Sequence, residues 1–262
     1  MSERGAPRAS QRGDRFALAA ILIVQAIERT AWTGLTPQLP DLARTLGASE
    51  GGAAFWISLF MLLTYIAAYP LAPLTDRYLQ PGLWCGIGLV FLSAGYGLLG
   101  SRWIVAAALL LPIGLAMFRL GIGMAVASLD ATSQPAWWLI YLAVNVGGVI
   151  GGWSAQQLAW SWGLPVVCRS CAAVASLGCV LSIFIRATRR APMIKHDPLT
   201  RCMVTARWWA VRCICLLSIG AWVAALQPTT TMVLFTGRTS PWLGPFHLGV
   251  GTYAALHSAQ VI

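Results

Sequence analysis

The sequence predicts an all-α, polytopic membrane protein, and three observations carry that prediction. The 262 residues are 58% hydrophobic and only 10% charged. An ordinary soluble domain is about 25% charged and 45–50% apolar, so there is too little charge here to coat a water-facing surface. Apolar runs of about 20 residues recur, the length that crosses a bilayer as a helix. The basic residues cluster between those runs, the arrangement of cytoplasmic loops, and form no face or stripe for nucleic acid despite a formal charge of +10.

The polar segment 1–15 reads as a cytoplasmic tail ahead of a retained first helix, not as a cleaved signal. The first span covers about 15–36, the second 53–75, the third 82–100 and the fourth 103–129. The fifth covers about 136–160 and the sixth 164–186. Residues 16–186 then form a six-helix transmembrane bundle. A basic linker with Pro192 and Pro198 follows over 187–207. Residues 208–262 begin a second bundle, with a seventh span at about 208–235 and an incomplete eighth starting near Pro245.

Loop charge sets orientation. With the N-terminus inside, the inner segments hold Arg4, Arg8, Arg12, Arg15, Arg77, Arg186, Arg189, Arg190, Lys195, Arg201 and Arg207. The outer segments hold Arg44, Arg102 and Arg238, with Arg169 near the outer end of the sixth span. A cytoplasmic N-terminus in an inner or plasma membrane is the expectation. Trp103, Trp137, Trp138, Trp208 and Trp209 fall near span ends, where aromatic belts form.

The seven Cys lie mostly within apolar runs and read as small hydrophobes, including the Cys168 and Cys171 pair. Gly147, Gly148, Gly151 and Gly152 give two GxxxG spacings, which predict close helix packing within the bundle in preference to a dimer face. No phosphate loop, Ser-His-Asp arrangement or metal-spaced cluster occurs, so no enzyme, cofactor or metal site is expected.

Glu28 and Arg29 stand inside the first apolar run. Charge at membrane depth costs at least a few kcal/mol per residue (about 2.5–3.5 even on insertion scales), so such residues mark a functional site by default. Gln25, Glu28, Arg29 and Trp32 fall three, four and seven apart and share one helix face.

That stretch, continuing through Thr33 and Gly34, resembles the E-x-x-E-R-F-x-Y-Y-G signature of the proton-dependent oligopeptide transporter family, within the major facilitator superfamily. Four further partial matches follow in order. Ala72 to Leu79, with Asp76 and Arg77, is similar to the superfamily loop G-x-L-A-D-R-x-L-G. Gly114, Ala116, Phe118 and Arg119 resemble G-x-G-x-F-K, and Tyr141, Asn145 and Gly147 resemble F-Y-x-x-I-N-x-G. Trp222, Leu226 and Gln227 resemble W-x-x-x-E-Q.

The resemblance implies the N-terminal half of a major facilitator fold plus one or two further helices, with a truncated second half. It implies proton-coupled uptake of di- and tripeptides, by rocking two bundles about a midplane site. Proton coupling falls to Glu28 with Arg29 as its charge partner. Substrate contact falls to Arg29, Trp32, Tyr65, Arg119 and Asn145, and gating to Asp76 and Arg77. The expected partners are small peptides, protons, the lipid bilayer, and a second half-transporter or another copy of the chain, with no nucleic acid. The other reading is a non-transporting membrane scaffold that partners a full-length transporter. Four departures bear on both: Gln25 cannot titrate, Arg119 replaces a lysine, Trp32 and Thr33 replace paired tyrosines, and Leu226 replaces a glutamate.

Overall fold

The computed structural model describes residues 8–45, 47, 49–77, 80–99, 101, 103–129, 134–185, 242–243 and 246–247. Six long helices account for most of them. These are α1 (Arg8–Leu35), α3 (Glu50–Arg77), α4 (Pro81–Leu99), α5 (Ile104–Ala127), α6 (Gln134–Trp162) and α7 (Leu164–Ser182). A 3-10 turn at Thr36–Gln38 and a short α2 (Leu39–Thr45) join α1 to α3. The six expected spans of the bundle are all present, each long and apolar enough to cross a membrane. The chain is an integral, multi-pass membrane protein with an all-helical bundle.

The ends differ from expectation where polar sequence continues a helix. Helix α1 starts at Arg8, about two turns before the apolar run. At 28 residues it is roughly 42 Å long, against a hydrocarbon core of about 30 Å, so its first turns project beyond the apolar layer. Pro37 stops α1 by removing a backbone donor, and the chain resumes as α2, where Arg44 pairs with Asp41 at 3.4 Å. Hydropathy gave no sign of α2, because seven mixed residues make no apolar run.

Helices α4 and α5 form one pair and α1 and α6 another, with α7 packed on both α1 and α4, and α3 against α5. Small residues allow these approaches. A side chain at Gly147 would collide with the carbonyl of Ala26, and one at Gly151 with that of Thr30, so the fifth-span glycines seat α6 on the backbone of α1. Packing within the bundle was the expected reading of them. A second seam went unread: Gly88 faces the backbone of Gly114 and Phe118, and Gly121 faces Cys85. The core among these helices holds Ile21, Val24, Leu89, Leu92, Tyr96, Leu111, Leu115, Phe118 and Val167. Cys85, Cys168 and Cys171 are buried as free thiols within it.

Helix α3 carries Pro70 and Pro73 within its span, and α5 carries Pro112. Each lacks a backbone N–H, which membrane helices tolerate where neighbours satisfy the freed groups.

The linker over 187–207 and the seventh span with Trp222, Leu226 and Gln227 lie outside the described residues. Phe246 and His247, expected to begin an eighth helix, instead pair antiparallel with Leu243 and Trp242.

Candidate functional site

The site is built on the α1 face that sequence spacing picked out. Gln25, Glu28 and Trp32 are buried there, Glu28 to 3% exposure, and Arg29 is half-buried. The carboxylate of Glu28 accepts a hydrogen bond from Nε2 of Gln25 at 3.1 Å, one turn back along the helix. Gln25 therefore holds the carboxylate in place, although it cannot titrate. Sequence reading saw only the lost acid at this position. The i, i+3 spacing was the signal that could have identified the bond.

Glu28 and Arg29 make no ion pair within 4.0 Å; among the described residues the one ion pair is Arg44 with Asp41. Adjacent helical residues do not face each other, so the pair couples through space and not by contact. The cations acting on Glu28 are Arg29 and Arg119, in that order. The Nε of Arg29 is buried with no hydrogen-bond partner among the described residues.

Helix α6 is held against this face. The hydroxyl of Thr33 donates to the Arg29 carbonyl at 2.7 Å and lies 3.4 Å from the carbonyls of Gly147 and Gly148. A Cβ at Gly147 would also stand 3.0 Å from that of Arg29, so the glycine leaves the arginine stem its room. Two residues earlier on α6, Asn145 is buried and donates to the Tyr141 carbonyl at 2.9 Å.

Across the bundle, α5 carries Arg119 over the ring of Tyr65 on α3, with Cζ 5.6 Å from the ring centroid. Such a cation–π contact contributes about 0.5–2 kcal/mol, more as water is excluded. Arg119 is exposed and Tyr65 half-buried, so this pair fronts an open side. Trp32 behaves differently. It is 6% exposed and stacked on Phe60 at 5.6 Å and 18°, so its ring is part of the wall. Phe60 drew no attention in the sequence, lying in an uninterrupted apolar run.

The structure thus brings Glu28 and Arg29 together with Arg119 through electrostatics, and Arg119 with Tyr65 through contact. Asp76 and Arg77 close α3 as expected, but their side chains lie outside the described residues. One further residue belongs beside the site. Tyr96 on α4 is fully buried, its hydroxyl has no partner among the described residues, and Glu28 and Arg29 are among the ionisable groups acting on it.

No family model and no curated relative matches the chain. Solved structures do. A mutant of the peptide transporter POT in complex with sulfate aligns with TM-score 0.60 and 16% identity, over 80% of this chain and 46% of that one. Tetrameric PepTSo2 aligns with TM-score 0.62 and 17% identity, over 95% of this chain and 69% of that one. The likeness is one of fold, and it agrees with the resemblance read from the motifs. This chain spans about half the length of the first of these structures.

Proposed function

We propose that this chain is the N-terminal bundle of a proton-dependent oligopeptide transporter, moving di- or tripeptides inward with protons once a second bundle completes its midplane site. The observation that carries this is the buried carboxyl group of Glu28, held by Gln25 at 3.1 Å beside two arginines. A carboxyl group taken out of water favours its neutral form, whereas a nearby guanidinium favours the charged one. A peptide carboxylate that draws Arg29 or Arg119 away from Glu28 changes that balance, so substrate binding and proton binding become linked. The planar guanidinium fork suits a peptide C-terminus, and Arg119 keeps its charge throughout. Tyr65 and Asn145 would orient the peptide, with Trp32 shaping the wall. Asp76 and Arg77 would brace the cytoplasmic ends of the helices as the bundles rock.

The test is uptake of a labelled dipeptide into liposomes holding the full chain at a density that lets a second copy supply the second bundle, with the outside more acidic. Saturable uptake that follows the gradient is expected. None, from protein shown to be folded and inserted, overturns independent transport. Leu226, standing where the family carries a glutamate, favours a second reading: a non-transporting partner of a full-length transporter. That reading predicts no uptake alone and changed uptake when the chain is co-reconstituted with such a transporter.

Loop charge gives the orientation within an inner or plasma membrane. A cysteine introduced by Gly5→Cys is expected to react with an impermeant thiol reagent only from the cytoplasmic side, and one from Ser101→Cys only from outside. Both are made with Cys179, Cys202, Cys213 and Cys215 replaced by serine, and the buried native thiols stay silent. The opposite pattern would reverse the direction assigned to transport.

A further inference from the structure

Helices α4 and α7 meet along glycine. A Cβ at Gly82 would run into the carbonyls of Ser182 and Ile185, and one at Gly86 into the Ser182 hydroxyl, so α7 lies almost on the backbone of α4. Larger side chains stand on either side of that seam. Leu83, Ile87 and Val90 follow at spacings of four and three on α4, and Val180 and Ile183 at three on α7. All five are exposed, and they wall an open, apolar groove of about 660 Å³. One turn beyond Val90 the helices are bridged, and the groove ends below the bridge. There the Ser93 hydroxyl donates to the Ala172 carbonyl at 2.9 Å and meets the Ser176 hydroxyl at 2.7 Å.

The mouth of the groove lies where α4 begins and α7 finishes. Phe184, between the groove residues Ile183 and Ile185, meets Phe16 of α1 edge-on at 6.2 Å. Arg15 is exposed and precedes Phe16 in the chain, with its Cα about 3.8 Å away. The first N–H groups of α4, which have no partner within the helix, are at the same end. By the orientation proposed from loop charge, this end is cytoplasmic.

We propose that the groove seats an anionic phospholipid, with one acyl chain between α4 and α7 and the headgroup phosphate held by Arg15 at the mouth. Length selects an acyl chain. Leu83 to Val90 covers about 10 Å of helix, within the depth of one leaflet, which is half of a hydrocarbon core about 30 Å thick. A spanning helix would have to pass the Ser93 bridge, whereas a chain from one leaflet stops short of it. Charge selects the headgroup. The start of α1 holds Arg8, Arg12 and Arg15 against Asp14. The cytoplasmic leaflet is the anionic one, and basic residues beside an interhelical pocket on that side recognise its headgroups. The free N–H groups and positive end of α4 suit a phosphate as well. Nothing in this site depends on whether the chain moves peptide.

Two photoreactive lipids test it. Phosphatidylglycerol and phosphatidylcholine, each with a diazirine on one acyl chain, are placed in equal trace amounts in phosphatidylcholine vesicles holding the full chain. Peptide mass spectrometry then locates the adducts. The exposed α6 face of Trp138, Leu142 and Val146 is the internal reference. A basic residue near an anionic surface contributes about 1 kcal/mol, roughly fivefold in an equilibrium. Phosphatidylglycerol is therefore expected to label the five groove residues about fivefold more than phosphatidylcholine does, with both lipids equal on α6. Arg15→Gln, at an exposed position, is expected to lower that excess two- to fivefold with thermal unfolding unchanged. Equal groove labelling by the two lipids would leave a seat for any acyl chain and overturn the proposal. An excess spread evenly over groove and α6 would be the general attraction of a basic protein, and overturns it too. An excess that survives Arg15→Gln overturns the headgroup assignment. No groove adducts at all would mean that another stretch of the chain or a second copy covers it, and the proposal fails.

Discussion

Glu28→Gln removes the response of uptake to a pH gradient while leaving exchange of labelled for unlabelled peptide in place. The substitution keeps shape and hydrogen-bonding capacity, so Gln25 still has an acceptor at this position, and what is lost is the proton. Coupling free energies between two ligands run to about 1–3 kcal/mol, roughly 5- to 150-fold. Gradient-driven uptake is therefore expected to fall by roughly ten- to a hundredfold. Parallel uptake and exchange measurements in the same liposomes check this. Gradient-driven uptake that survives the substitution would move the proton site elsewhere. Loss of both uptake and exchange would make Glu28 part of the peptide site or of the fold.

Gly151→Leu is expected to have the largest effect on stability. A side chain there would run into the Thr30 carbonyl and the Thr33 hydroxyl, and backbone cannot swing aside as a flexible side chain can. Overpacking in a well-packed interior costs about 1–3 kcal/mol, and here the displaced element is α1, which carries Gln25, Glu28 and Arg29. Thermal unfolding in detergent should drop by several degrees. Gly97→Ala is the control. It also lies in a helix, has nothing within 4 Å, and should be neutral or stabilising by about 0.5–1 kcal/mol. Equal losses from both would mean that helix propensity, and not the α1–α6 approach, sets the cost.

The six spans of the bundle and their placement were legible in the sequence because crossing a bilayer imposes one length on every helix, and hydropathy reads length. Helix α4, expected at about 82–100, runs Pro81–Leu99. What hydropathy does not carry is which helix meets which. The Gly88 and Gly114 seam looks like any pair of glycines until α4 and α5 are seen to cross there. Tyr96 drew no notice in the sequence, and only the packing of α4 shows that it is fully buried in the core. On α1 itself the spacing put Gln25, Glu28, Arg29 and Trp32 on one face, and Gln25, Glu28 and Trp32 are buried there. The resemblance made Arg29 the charge partner of Glu28, and no ion pair within 4.0 Å joins these adjacent residues. Trp32 shows the same limit. An aromatic in a matching motif was taken as a ligand surface, and Phe60, distant in sequence, covers it.

Arg119 is exposed on α5, and among the described residues its ring contact is with Tyr65. Facing acyl chains, a guanidinium at that depth would cost at least about 2.5–3.5 kcal/mol. The flank that carries Arg119 is therefore the one for which acyl chains are the poorest solvent, and water, an anion or another polypeptide meets it at lower cost.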